Sequence, residues 1–117
     1  MSTYRDLNVW QKAMELAEYT YNLCSLLPEE ERFGLISQMQ RAAVSIPSNI
    51  AEGHGRNSDK EFIRFLMIAN GSKCELQTQI LLCEKIGYLK RENTKQVLVL
   101  TEKVGKMIYS LMNSLSG

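Results

Sequence analysis

Apolar residues recur every three or four positions along most of the chain, and nowhere do they alternate with polar ones over the length of a strand. The pattern predicts four helices. The first starts near Asp6, a suitable N-cap, and runs to about Leu27 with Trp10, Ala13, Ala17, Tyr21, Cys24 and Leu27 on one stripe. Pro28 stops it, because proline disfavours helical geometry in the residue before it. PEEER then forms a short acidic turn whose charges suit the positive end of the next helix dipole.

The second helix is expected from about Arg32, with Ile36, Met39, Ala43, Ile46 and Ile50 spaced as a heptad seam. That seam passes through Pro47, so the helix should continue beyond it. A proline there predicts a kink and one lost backbone bond, costing about 3 kcal/mol where packing does not compensate. The helix should close within Gly53–Asn57, where two glycines and an asparagine supply permissive backbone.

Ser58-Asp59-Lys60-Glu61 reads as a capping box that opens the third and longest helix, ending near Ile86 with Gly87 as its stop. Phe62, Leu66, Ala69, Leu76, Ile80 and Cys83 form one stripe. Ile63, Met67, Cys74 and Leu81 form a second, and a helix apolar on two flanks predicts self-association. After the polar turn YLKREN, the fourth helix should span about Asn93 to Leu115, with Val97, Leu100, Val104, Met107, Leu111 and Leu115 in its seam. Short connections between long helices make antiparallel neighbours. The expected fold is all-α, one up-down-up-down four-helix bundle over residues 1–117.

Charge narrows the function classes. The net charge is +1, whereas a dedicated nucleic-acid binder is usually strongly basic. The distribution is uneven: residues 1–31 carry six acids against two bases, and residues 32–117 carry twelve bases against seven acids. A local basic face therefore stays open. Cys24, Cys74 and Cys83 include no C-x-x-C pair and read as buried, reduced thiols in a cytoplasmic protein. The start MSTYRDLNVW does not read as a signal peptide, and no apolar run is long enough to span a membrane.

Two constellations stand out. Arg41, Ser45, Ser48, Asn49, Glu52 and Arg56 share a polar face of the second helix, and Ser72, Glu75 and Gln79 offer a matching set on the third. Such a set reads first as a polar network that fixes helix register, with Pro47 and Gly53 in the same SIPSNIAEG stretch. The second constellation is basic: Arg56, Lys60 and Arg64 gather where the third helix begins, close to His54, and could hold an anion at its N-terminus. Asp59 and Glu61 would neutralise part of that charge. Catalytic chemistry is not expected. His54 is the single histidine, no Glu-x-x-His occurs, and Gly53-x-Gly55 lacks the rest of a phosphate loop. Neither metal nor cofactor is expected.

DLNVWQKAMEL, GLISQMQRAAVSIPSNIAEG and FIRFLMIANGSKCELQTQILLCEKIGYL resemble, in order, the four-helix bundle proteins encoded in intervening sequences of 23S rRNA genes. SIPSNIAEG is the most specific of these stretches. The resemblance implies an up-down bundle assembled into homopentameric rings, and it carries no catalytic residues onto this chain. A related branch, the accessory variability protein of diversity-generating retroelements, partners a reverse transcriptase and binds nucleic acid through a highly basic surface that this near-neutral chain lacks. Two functions follow as expectations. One is a non-enzymatic, oligomeric factor associated with RNA or another nucleic acid through Arg41, His54, Arg56, Lys60 and Arg64; the other is a scaffold for protein partners.

Overall fold

A computed structural model describes residues 3–117 and consists of four helices: α1 (Asn8–Cys24), α2 (Leu35–His54), α3 (Asp59–Lys85) and α4 (Arg91–Ser116). The longest dimension, 43 Å, is close to the length of the 27-residue α3 at about 1.5 Å per residue. The helices therefore run along one axis. Each packs on its sequence neighbours, and α4 closes the ring against α1. Met39 meets Cys83, Ser45 meets Ser72, and Gly53 meets Phe65. Residue numbers rise on α2 as they fall on α3, as in an antiparallel pair. Gln77 with Thr101 and Lys73 with Gly105 relate α3 to α4 in the same way.

Met39, Ala43, Ile46 and Ile50 of the α2 seam are all buried, and so is the first α3 stripe from Phe62 to Cys83. Pro47 lies inside α2 and is itself buried. In α4, Val97, Leu100 and Val104 are buried while Met107, Leu111 and Leu115 are half-buried, so the seam loosens toward the C-terminal end.

The α1 stripe needs correcting. The buried line is Val9, Ala13, Leu16, Thr20 and Leu23, whereas Tyr21 is exposed and Trp10 and Ala17 are only half-buried. Both lines keep helical spacing. Thr20 fits the core because its hydroxyl donates to the Leu16 carbonyl 2.7 Å away.

Helix ends also differ from expectation. Asp6 does not cap α1; it belongs to a short 3-10 turn, Tyr4–Asp6, capped by Thr3. α1 itself stops at Cys24, and three-residue turns carry the chain to Leu27. α2 begins at Leu35, three residues later than expected, because Glu31 folds back so that its Oε1 accepts the Leu35 N–H at 3.1 Å. Ser58 caps the Glu61 N–H at 3.2 Å, but the Glu61 carboxylate turns to Arg64 rather than back to Ser58. Asn57, not a glycine, takes the left-handed conformation at the α2–α3 turn, while Gly87 does so after α3.

At the α3–α4 corner, Glu84 accepts hydrogen bonds from the Thr94 hydroxyl and from Arg91. These partners, the hydroxyl first, hold its carboxyl below the usual value of 4.5. A depressed folded-state pKa contributes stability that is complete above the unfolded value and is lost as pH falls through the folded one. Urea unfolding between neutral pH and about pH 3 should therefore show the wild type losing more stability in acid than Glu84→Gln. Parallel stability curves for the two proteins would remove this role.

Candidate functional site

The α2–α3 turn is built on a close helix approach. A Cβ placed on Gly53 would lie 2.6 Å from the Phe65 Cβ and 3.0 Å from the Phe62 ring, so only glycine lets the two backbones come this near. Gly53 is therefore part of the packed helix, not its stop. α2 ends one residue later at His54, which meets the Phe62 ring edge-on at 5.7 Å. His54 also borders a cleft of about 350 Å³ shared with Leu7, Leu111 and Leu115, at the end of the bundle where α1 begins and α4 finishes.

Holding α3 this close brings Phe65 beside two arginines. The guanidinium carbons of Arg56 and Arg64 stand 4.9 Å and 4.7 Å from the centre of the Phe65 ring. Each is attracted to the ring's negative face. Acids hold both in place: Arg56 pairs with Glu52 at 3.0 Å, and Arg64 reaches both oxygens of Glu61 at 3.0 and 3.3 Å. The Arg64 hydrogen bond keeps the Glu61 carboxyl below its ordinary range. Lys60 is exposed on the same turn and makes no ion pair among the described residues.

Four of the five predicted anion-site residues are thus gathered at one turn: His54, Arg56, Lys60 and Arg64. Arg41 lies apart, exposed about four helical turns before Arg56 on α2. Counting Glu52, Asp59 and Glu61, the turn carries three acids for its three arginine and lysine charges. Sequence reasoning missed Phe65, the platform that fixes both arginines. Its signal was available, since Phe65 follows Arg64 directly and sits one turn after Glu61.

The predicted register network divides in two. Ser45 and Ser72 hydroxyls bond across α2 and α3 at 2.8 Å, and Asn49 donates to both the carbonyl and the hydroxyl of Ser45. Gln79 donates to Glu75 along α3 at 3.5 Å, while its own buried carbonyl oxygen has no partner among the described residues. Glu52 serves Arg56 instead. Ser48 belongs to the opposite flank, lining a groove with Trp10, Val44, Pro47 and Ala51. Cys24 and Cys83 are buried as expected, with burial raising the Cys24 thiol to about 11, but Cys74 is exposed on the outer side of α3. Cys74 corrects the expectation of three buried thiols: it lies with the exposed Met67 and Leu81 on the second stripe of α3, which the bundle does not cover.

Among the described residues no three His, Cys, Asp or Glu side chains gather as a metal site, and no helix is long and apolar enough to cross a membrane. Over residues 5–110 the chain matches the family described as 23S rRNA-intervening sequence protein. It is also similar to a crystal structure from Bacteroides thetaiotaomicron, a protein of unknown function from the S23 ribosomal protein family. The two share 28% identity over 89% of this chain and 97% of that one, with a TM-score of 0.82. No curated protein matches the sequence.

Proposed function

The chain belongs to the 23S rRNA-intervening sequence protein family, and from that premise we propose a non-enzymatic, oligomeric bundle that associates with structured RNA in the cytoplasm. The observation that supports it is the arginine pair on Phe65. Arg56 and Arg64 are fixed by ring and carboxylate contacts, so little side-chain freedom remains to be given up when they meet a phosphate. Lys60, on the same turn, adds a cation with no internal partner among the described residues. Repetition of this modest site in an oligomer multiplies its affinity through avidity.

A fluorescence-polarisation titration with an RNA hairpin tests the reading. Binding should weaken steeply with added salt, and Arg56→Ala/Arg64→Ala should flatten that dependence by roughly one unit of slope for each phosphate left without its arginine. Absence of salt-sensitive binding at low ionic strength would overturn it. A second reading, a scaffold for protein partners, is favoured by Glu52 and Glu61, which neutralise the arginines that RNA would need. Under that reading a protein partner is retained in pull-downs after nuclease treatment.

A further inference from the structure

Three sulfur-bearing side chains from three helices converge in the core at one end of the bundle. Cys24 closes α1, Met39 lies in the second turn of α2 and Cys83 in the last turn of α3. Residues 25–34 bring the end of α1 beside the start of α2, and the Cys83 Sγ stands 3.8 Å from the Met39 Sδ. All three residues are buried and belong to one continuous cluster. Burial raises the Cys24 thiol, and the neighbouring Cys83 adds to the rise. The two thiols are nonetheless too far apart at the backbone to cross-link. Among the described residues no Cα of α1 lies within 8 Å of one on α3, whereas a disulfide needs about 7 Å or less.

An ion held between sulfurs reaches further, because each metal–sulfur bond is about 2.3 Å long. At that distance from both Cys83 and Met39, an ion would see the two sulfurs about 110° apart, close to trigonal geometry. The donors choose the ion. Thiolate and thioether are soft and select copper(I). Among the described residues no His, Asp or Glu makes up a group of three with these cysteines, so the four-ligand set that zinc takes is not formed. A monovalent ion on one thiolate is also neutral overall, which spares the apolar core a net charge.

We propose that Cys24, Met39 and Cys83 form a binding site for copper(I). The Cys83 thiol releases its proton to solvent as its sulfur bonds the ion, the Met39 thioether donates a lone pair, and Cys24 supplies the third sulfur as a neutral thiol. Helix ends open locally at little cost, so the end of α1 gives the ion its entry. This site is independent of the RNA reading. Each ligand comes from a different helix, so no short ligand spacing marks it in the sequence.

Cys74 is exposed and would take the ion by itself, so the test uses the Cys74→Ser protein, reduced and without oxygen. Copper(I) titrated against a coloured copper(I) chelator should bind one ion per chain, release one proton, and raise the thermal midpoint. Cys83→Ala should abolish this binding. Cys24→Ala and the volume-conserving Met39→Leu should each weaken it at least about tenfold, the least that losing even an outer-shell partner costs. X-ray absorption of the copper-loaded Cys74→Ser protein, which needs no core variant, should show three sulfur neighbours. Fewer sulfurs, or nitrogen or oxygen neighbours, overturn the site. So does binding that survives Cys83→Ala or Met39→Leu unchanged, or a falling midpoint, which marks capture of the ion by the unfolded chain.

Discussion

Gly53→Ala should destabilise the bundle by about 1–3 kcal/mol, the range for forcing extra atoms into a packed contact. The sign is the informative part. In an exposed helix interior the same change gains up to about 1 kcal/mol, because alanine loses less backbone freedom on folding. Gly71, inside α3, provides that control: a Cβ there meets nothing within 4 Å. At Gly53 the added atom lies 2.6 Å from the Phe65 Cβ, which sits on the α3 backbone and cannot swing aside as a flexible side-chain tip could. α2 and α3 must separate, and the platform under Arg56 and Arg64 moves with them. Urea denaturation of both variants is decisive: Gly71→Ala should raise the midpoint, Gly53→Ala should lower it. A rise for both would mean that the helices do not approach this closely.

Leu66→Ala should cost about 2–5 kcal/mol, whereas Met67→Ala one position later should cost well under about 1 kcal/mol. Leu66 has no exposed surface and belongs to the continuous core that includes Met39, Ile46, Ile50 and Val104. Truncating it removes transfer free energy and leaves a void that the surrounding helices fill only in part. Met67 lies about 100° further round the same helix, on the open flank, so its truncation removes little burial in the isolated chain. Equal costs at both positions would place the core on the wrong side of α3.

That pair of neighbours also shows what the sequence could and could not convey. On α3 two apolar stripes were legible without a choice between them, and the structure buries the one containing Leu66 while leaving Met67, Cys74 and Leu81 of the other exposed. On α1 the spacing was read as Trp10, Ala17 and Tyr21 over Val9, Leu16 and Leu23. Periodicity fixes that a helix has a buried side but not its angle when two stripes are about 100° apart and both are apolar. Helix existence followed from spacing, but the ends of α1 and the start of α2 depended on local hydrogen bonds that spacing does not report. Glu31 decides where α2 starts, and its acceptance of the Leu35 N–H has no signature in a run of three glutamates. At the candidate site the charged residues were visible as a cluster. Their arrangement around Phe65 was not, because it depends on how near Gly53 lets α3 come.

Glu31 has a further effect that concerns rates. One of its oxygens accepts the Leu35 N–H, and the other accepts the Tyr88 hydroxyl at 3.0 Å, joining positions 57 residues apart. The bond to Tyr88 forms only after α2 and α3 have folded back on each other and brought the α1–α2 and α3–α4 connections together. A contact completed so late stabilises the native state without stabilising the transition state. Removing the long-range bond with Tyr88→Phe should therefore speed unfolding in stopped-flow measurements while leaving the folding rate almost unchanged.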